Sequence, residues 1–384
     1  MTQKKILYIQ PNSVLGGSFQ SLYYLLRNLN RSLYDPTVLF PQKNQHIIDR
    51  LKEIHVKSFI KPFPIVSYSI NSKYRILLYT FFHYILLHKY YLRTYTTLPF
   101  DILHLNSLNS LFGLALANKF RIPAVWHIRE QLSSILYNIP QMIFSQMAGE
   151  SVIKHILCIS ENEATKLPES KVTILHNFFI LDKQPCPRKK PIMFLSMGSF
   201  SMDKGFWLLI DAVKMLKHFH TPEDFRVSIM GISTRSTITK KLLREKTSED
   251  FTNKIYREGI AEYFEFLPPQ IDIRPDLFSQ FHVLIRPSLN NDPWGRDIIE
   301  AMSTGRAVIA TGTYSKFVRD GLNGFLVPSS DPRLLAERMQ QFIKNESLAM
   351  QFGEKSYGLA QKLFDPQSIT RDIENIYNTM TSSV

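Results

Sequence analysis

The stretch Asp292-Pro-Trp-Gly-Arg-Asp-Ile-Ile-Glu300 lies between two apolar runs and carries a carboxylate at each end. The upstream run, His282 to Pro287, is typical of a buried strand that stops at a proline, and the downstream run, Arg306 to Thr311, of the next strand. Residues 297–304 between them have a helical pattern. The stretch therefore predicts a βαβ unit whose loop, Ser288 to Gly295, opens at the carboxyl end of a strand, where parallel α/β sheets bind ligands.

The chemistry of this loop favours a ligand that contains both a sugar and a phosphate. Backbone N–H groups and the positive end of the helix dipole attract phosphate. The carboxylates of Asp292 and Glu300 would repel phosphate, but they accept hydrogen bonds from sugar hydroxyls. We therefore expect the phosphate to be held by backbone groups and by a cation elsewhere in the chain.

The residues after Glu300 extend the pattern into a longer motif. Seven residues separate Asp292 from Glu300, and Ala-Met-Ser-Thr-Gly-Arg-Ala-Val-Ile-Ala310 follows. This resembles the retaining GT-B glycosyltransferases of family 4 (glycosyl transferases group 1), whose signature is Glu-x7-Glu followed by Ala-Met-x-x-Gly-x-Pro-Val-Ile-Ala. Asp292 stands in place of the first Glu, and Ala307 in place of Pro. The resemblance implies an α/β GT-B fold with two Rossmann-like domains facing a central cleft.

The resemblance also assigns roles to the two acids. Glu300 corresponds to the acid that binds the ribose diol of the nucleotide, and Asp292 to the acid that meets hydroxyls of the transferred sugar. We include Trp294, Gly295 and Arg296 in the predicted donor site. By themselves, Glu300 would be read as a solvated glutamate near a helix start and Asp292 as a turn residue before proline.

A second loop carries the expected cation. Lys204-Gly205 matches the end of the family's Gly-Arg-x4-Lys-Gly block, in which the lysine binds the diphosphate. A fixed ammonium stabilises the charge that develops on the leaving nucleotide more than it stabilises the bound donor. Ser199, which we also include in the donor site, stands where the family has arginine, and we hypothesise that Arg296 replaces that cation. Without the resemblance, Lys204 would be read as a solvated loop lysine.

The first half of the chain contributes a glycine loop and a histidine. The loop Leu15-Gly-Gly-Ser18 follows a predicted strand and precedes a predicted helix, and glycine lets backbone N–H groups approach an anion, although such a pair often forms only a turn. The resemblance implies that Gly16 and Gly17 approach the donor phosphates. It also implies that His127, at the end of the predicted strand 124–127, contacts the donor sugar. The family often has Asp after this histidine, where this chain has Ile128, and a lone histidine is more often structural.

The predicted catalytic residues are therefore His127, Lys204 and Asp292. No Asp-x-Asp triplet occurs in the sequence. We expect no metal and no cofactor apart from the nucleotide-sugar donor, which can be UDP- or GDP-linked. The resemblance implies retention of anomeric configuration. Ser199, Asp292 and Ile128 also motivate an alternative, in which the chain is a catalytically weak, nucleotide-sugar-binding partner subunit of a glycosyltransferase complex.

Length and composition predict two domains. The chain has 384 residues, of which 44% are hydrophobic, and this is enough for two cores. The linker Leu181–Pro191 contains three prolines and separates a predicted acceptor-binding domain, residues 1–185, from a donor-binding domain, residues 186–365. We expect the C-terminal helix, 366–384, to pack on the first domain. The two cysteines suggest no disulfide framework, and we expect a cytoplasmic protein without a separate signal peptide.

The formal charge of +13 is concentrated near an aromatic segment. No acidic residue occurs between Glu53 and Asp101, and residues 57–95 combine six Lys and Arg side chains with an apolar, tyrosine-rich run. This pattern predicts either a helix on an anionic membrane surface or a core helix of the first domain. The membrane interpretation favours a peripheral protein on the cytoplasmic face of the inner membrane and a glycan or lipid-linked acceptor. No nucleic-acid-binding motif accompanies the charge, so we expect no nucleic-acid partner.

Overall fold

The computed structural model describes residues 3–65, 88–130, 145–165, 167–198, 204–231, 248–270, 272–290 and 294–381. Contacts divide the chain into two compact units, Met1–Asn177 with Pro366–Val384, and Phe178–Asp365. The first unit ends before the linker Leu181–Pro191 from which the sequence predicted the boundary. Most of the apolar run within residues 57–95 lies outside the described residues, so the predicted membrane-surface helix is not described.

Parallel strands form the sheet of the first unit. They are β1 (Lys4–Ile9), β2 (Tyr34–Phe40), β3 (Lys57–Ile60), β4 (Ile102–Leu105), β5 (Ala124–Ile128), β6 (Ile153–Cys158) and β7 (Val172–Ile174). Their order is β3-β2-β1-β4-β5-β6-β7, and each neighbouring pair is parallel. The order reverses between β1 and β4, so the loops after these strands flank a topological switch point, where α/β sheets bind ligands.

Helices connect these strands, as parallel pairing requires. They are α1 (Gly17–Asn28), α2 (Gln45–Glu53), α3 (Leu111–Phe120) and the single turn α4 (Glu161–Ala164), with a 3₁₀ turn at Glu169–Lys171. The central strands β4 and β5 are buried along their whole length, which explains their nearly continuous apolar sequence. The side chain of Trp126 in β5 is fully buried, and its indole N–H donates to the carbonyl oxygen of Ser107 at 2.9 Å.

The second unit contains another parallel sheet. Its strands are β8 (Ile192–Met197), β9 (Phe225–Met230), β10 (Phe264–Leu267), β11 (Val283–Arg286), β12 (Ala307–Thr311) and β13 (Gly324–Val327). The order β10-β9-β8-β11-β12-β13 places its switch point between β8 and β11. Both units therefore confirm the predicted α/β class, and the predicted βαβ unit is present as β11, a helix and β12.

The helices of the second unit include one that begins close to the switch point. They are α5 (Phe206–Leu216), α6 (Ser248–Arg257), α7 (Arg296–Ser303), α8 (Pro332–Lys344) and α9 (Glu346–Leu363), with 3₁₀ turns at Ala261–Tyr263 and Pro275–Gln280. Helix α7 follows the loop after β11. Helix α8 has strong start signals, because Pro332 occupies its first turn and the Asp331 carboxylate accepts from the Leu334 N–H at 2.9 Å.

The C-terminal helix α10 (Pro366–Thr381) belongs to the first unit. The hydroxyl of Tyr34 donates to the carbonyl oxygen of Glu374 at 3.0 Å and to Oδ1 of Asn378 at 2.9 Å. Lys4 donates to the same Asn378 oxygen at 3.0 Å. These bonds attach α10 to the amino ends of β1 and β2. No helix in the described part of the chain is long and apolar enough to span a bilayer.

Candidate functional site

Two loops of the second unit meet at its switch point. The first follows β8 and contains Lys204, and the second follows β11 and leads into α7, which carries Glu300. Gly205 has a φ of +67°, which favours glycine, and a Cβ there would collide with the carbonyl oxygen of Pro287 in the second loop. The glycine thus lets the two loops lie in direct contact. The structure brings the predicted phosphate-binding loop and the predicted hydroxyl-binding loop together.

Lys204 precedes the first turn of α5 and is partly exposed. Its stem passes near Gly198, since a Cβ at Gly198 would lie 3.7 Å from Cδ of Lys204. The positive φ of Gly198, +149°, turns the chain at the end of β8. Ser199 lies outside the described residues, so its predicted part in the donor site stays a prediction.

Glu300 is a nearly buried carboxylate on α7, with 5% of its surface exposed. Arg296, one turn earlier, donates to its Oε1 atom through Nε at 3.1 Å and through Nη2 at 2.8 Å. Burial raises the pKa of Glu300, and the charge and hydrogen bonds of Arg296 oppose that rise. The burial excludes the interpretation of Glu300 as a solvated surface glutamate.

The ion pair with Glu300 bears on the hypothesis that Arg296 replaces the family's phosphate-binding arginine. The guanidinium already balances a buried carboxylate, which restricts its orientation. Asp292, the other predicted carboxylate, lies outside the described residues, so its predicted contact with the sugar is not tested. Trp294 is buried and packs edge-on against Tyr314, with the ring centroids 5.4 Å apart.

A second buried ion pair near the start of α7 was not predicted from the sequence. Arg286, the last residue of β11, donates to the carboxylate of Asp297 in the first turn of α7 at 2.7 Å. Gly295 lies against this pair, because a Cβ there would collide with both side chains. The predicted donor residue Gly295 therefore also has a packing role. The available signal was a charged residue at the end of an otherwise apolar strand, eleven positions before an acid.

Gly16, in the glycine loop of the first unit, has no packing constraint like that at Gly295. Gly16 is the N-cap of α1 and has a φ of −112°, which any residue adopts. A Cβ there would meet no described atom within 4 Å. Neither backbone conformation nor packing against described residues requires glycine at this position. The predicted role of Gly16 and Gly17, approaching the donor phosphates at the start of α1, stays a prediction.

His127 lies near the carboxyl end of β5 and is 4% exposed. Its Nδ1 atom is 3.2 Å from Nε2 of His104 and 3.2 Å from a guanidinium nitrogen of Arg129. Its Nε2 atom has no hydrogen-bond partner among the described residues. Burial, then the charge of Arg129, hold the pKa of His127 well below its usual range, so the imidazole is neutral.

Polar side chains not named from the sequence link His127 to the glycine loop. Arg129 donates from Nε to Oδ1 of Asn106 at 3.0 Å. Asn106 in turn donates to Oε1 of Gln10 at 2.6 Å and to the carbonyl oxygen of Ser18 at 3.2 Å. Their positions explain the link, because Asn106 directly follows the observed strand β4 and Arg129 directly follows β5. Their connection required the strand order.

Metal binding was not expected from the sequence. The described residues contain no group of three or more His, Cys, Asp or Glu side chains that could hold a metal ion. Because Asp292 lies outside those residues, metal independence stays a prediction.

Comparison with known proteins shows which family the second unit resembles. Residues 178–358 match the family Glycosyl transferases group 1. The chain is 24% identical over 276 residues to an uncharacterized glycosyltransferase of Methanocaldococcus jannaschii, and the match covers 70% of this chain and 72% of that protein. It is 27% identical over 191 residues to the lipopolysaccharide core biosynthesis glycosyltransferase LpsE of Rhizobium meliloti, covering 49% and 50% of the two chains. The protein is a glycosyltransferase.

The architecture of the glycosyltransferase agrees with solved structures. The crystal structure of Anabaena HepE in complex with UDP and glucose matches it with a TM-score of 0.75 at 18% identity, covering 98% of this chain and 100% of that one. The two parallel-sheet units and this likeness confirm the predicted GT-B fold. Membership of family 4 and the retaining mechanism stay predictions, as does the role of each site residue.

Proposed function

We propose that this glycosyltransferase moves a sugar from a UDP- or GDP-linked donor to an acceptor hydroxyl, with retention of anomeric configuration and without a metal ion. The observation that carries the proposal is the contact between two loops at one switch point. One loop ends in Lys204, and the other leads to the buried carboxylate of Glu300. A cation on one loop, and a carboxylate on the helix that follows the adjacent loop, suit the phosphate groups and the hydroxyl groups of a nucleotide-sugar.

Lys204 acts on the phosphate groups of the donor, and Glu300 acts on its hydroxyl groups. Lys204 stabilises the negative charge that develops on the departing nucleotide, and this lowers the barrier rather than merely tightening donor binding. Glu300 accepts hydrogen bonds from the ribose diol. Arg296 favours the ionised form of Glu300 and so opposes the effect of burial, because an ion pair stabilises the charged carboxylate.

Under this proposal the acceptor is a lipid-linked intermediate of surface-polysaccharide synthesis. Support comes from the similarity to the lipopolysaccharide core biosynthesis glycosyltransferase LpsE and from the basic, aromatic composition of residues 57–95. Such composition suits the anionic cytoplasmic face of a membrane.

A donor and acceptor screen tests the proposal. Purified protein is incubated with a panel of UDP- and GDP-sugars and with soluble or lipid-linked acceptors, with and without a chelator, and nucleotide release and product are measured. We expect one donor to support transfer that the chelator does not abolish, and the product's anomeric configuration, read by NMR, to equal that of the donor. Inverted product or chelator-sensitive turnover would contradict those parts of the proposal.

Substitution of Lys204 tests the electrophilic role. We expect Lys204→Ala to lower kcat by on the order of 100-fold, since one preorganised charge-stabilising group contributes that much to a transition state. Lys214→Ala is the matched control, because Lys214 lies in the last turn of α5, away from the loop, and forms a partly exposed ion pair with Glu258. Equal activity of the two variants would exclude Lys204 from the reaction.

The same screen distinguishes the alternative function. Tight donor binding, measured by calorimetry, without product from any donor and acceptor pair would favour a nucleotide-sugar-binding partner subunit.

A further inference from the structure

A chain of hydrogen bonds connects the C-terminal helix to His127 inside the first unit. The hydroxyls of Tyr8 and Tyr377 are 3.0 Å apart. The Tyr377 hydroxyl is 2.7 Å from Nδ1 of His104, and Nε2 of His104 is 3.2 Å from Nδ1 of His127. All four side chains are at least nine-tenths buried, so water does not replace these bonds. We refer to Tyr8, Tyr377, His104 and His127 as the relay.

Arg129 sets the direction of the relay. A guanidinium can only donate, so the Nδ1 atom of His127, 3.2 Å from it, acts as the acceptor. A neutral imidazole carries one proton, and the proton of His127 is therefore on Nε2. An unprotonated Nε2 on His104 would face the lone pair of His127 Nδ1, which is repulsive, so His104 also carries its proton on Nε2.

The remaining bonds follow from that assignment. With its proton on Nε2, His104 accepts at Nδ1, and the Tyr377 hydroxyl must donate to it. The oxygen of Tyr377 is then left to accept from Tyr8. All hydrogen bonds of the relay therefore run in one direction, from Tyr8 towards His127.

We propose that the relay and Arg129 fix His127 in the tautomer that presents Nε2–H, so that this residue serves the transfer reaction as a neutral hydrogen-bond donor and not as a base. Nε2 has no partner among the described residues, although it is buried, and an unsatisfied buried donor is costly unless a ligand oxygen completes it. Tyr377 and His104 are positioning residues, and α10 thereby contributes to the active centre. The tautomer assignment does not depend on the proposed function. The identity of the oxygen that accepts from Nε2–H rests on that proposed function.

Nitrogen NMR of histidine-labelled protein tests the tautomer without any activity. Spectra at neutral pH, assigned with His127→Gln and His104→Gln, separate protonated from unprotonated ring nitrogens. We expect both rings to be neutral, with the proton on Nε2. A proton on Nδ1 of His127, or a doubly protonated ring, would overturn the assignment even if no donor substrate were known.

Substitution of His127 tests the donor role once a donor is found. Glutamine places an N–H near the position of Nε2, whereas alanine places nothing there. We expect His127→Gln to retain at least about tenfold more kcat than His127→Ala, which is the scale of one hydrogen bond to a buried donor. Equal losses in the two variants would contradict a donor role. Loss of all transfer in the wild type would instead contradict the proposed function, with the NMR result unaffected.

The role of α10 is tested with a matched pair of tyrosines. Tyr377→Phe removes one hydroxyl of the relay, and Tyr34→Phe removes a hydroxyl that also binds α10 but lies outside it. We expect Tyr377→Phe to shift the ring nitrogen signals of His104 and lower kcat severalfold with little change in KM, while Tyr34→Phe leaves both unchanged. Identical behaviour of the two variants would show that Tyr377 only holds the helix in place.

Discussion

Glu300 illustrates how one residue can combine binding chemistry with a cost in stability. Its carboxylate is almost fully buried, and its ion pair with Arg296 compensates the loss of hydration only in part, because the pKa of Glu300 stays raised. The two hydrogen bonds that Arg296 donates to Glu300 both end on Oε1. A ribose diol that donates to this carboxylate would stabilise its charged form further, so donor binding and ionisation of Glu300 favour each other.

Removing Arg296 should therefore reveal how much the buried Glu300 carboxylate destabilises the protein. We expect Arg296→Ala to lower the free energy of unfolding by about 3 kcal/mol at neutral pH, since it leaves a buried carboxylate unpaired. The loss should shrink as the pH falls through the raised pKa of Glu300, because protonation removes the unpaired charge. Thermal unfolding followed from pH 7.5 to about pH 4.5, where glutamate normally titrates, measures both effects.

Arg274→Ala is the control for this experiment, because Arg274 pairs with Asp276 on an exposed surface. Exposed pairs contribute little to stability, so this variant should unfold like the wild type at every pH. A penalty for Arg296→Ala that is no larger, or that grows as the pH falls, would show that Glu300 does not depend on Arg296.

At the scale of elements, the sequence predicted the central strands well and the sheet edges poorly. The apolar runs 282–287 and 306–311 contain β11 and β12, because a short apolar run is typical of a strand that is buried on both faces. The edge strands β3 and β7 were not predicted, since they have only four and three residues and are partly exposed. The pairing of Arg286 with Asp297 and the relay join residues from different elements, which periodicity within one element cannot show.

The turn between α7 and β12 contains an unusual structural residue. Arg306 is fully buried, and its guanidinium donates to the carbonyl oxygens of Phe281, at 2.9 Å, of Thr304, at 3.1 Å, and of Gln184. The pKa of Arg306 is lowered by burial. The side chain thus joins the linker, the start of β11 and the end of α7.

Replacing Arg306 should loosen all three segments. We expect Arg306→Met, which keeps much of the stem, to destabilise the second unit by about 3 kcal/mol, because three buried carbonyl groups lose their donor. Chemical denaturation monitored by circular dichroism gives the value. Arg226→Met, on an exposed position of β9, is the control, and a similar stability of the two variants would contradict this role.

At the scale of the whole molecule, the formal charge of +13 favours a negatively charged partner, which no single residue identifies. The interval without acidic residues between Glu53 and Asp101 holds part of this excess. Clustered lysine and arginine near an apolar run bind anionic lipid headgroups, and such binding weakens as salt screens the charges.

Liposome flotation tests this partner. We expect the protein to float with vesicles that contain anionic lipid, to float less as salt is raised, and to remain unbound with neutral vesicles. A variant with Lys73→Glu and Arg75→Glu should bind more weakly than the wild type. No flotation with anionic vesicles would remove the support that composition gives to a lipid-linked acceptor.

The membership of α10 in the first unit has a consequence for biosynthesis. A ribosome completes Phe178–Asp365 before it makes the helix that Tyr8 and Tyr34 require. The second unit can thus fold while the chain is still being translated. The first unit cannot complete its packing until α10 has been synthesised. Until then the relay lacks Tyr377, so in a nascent or C-terminally truncated chain His104 and Arg129 alone orient His127.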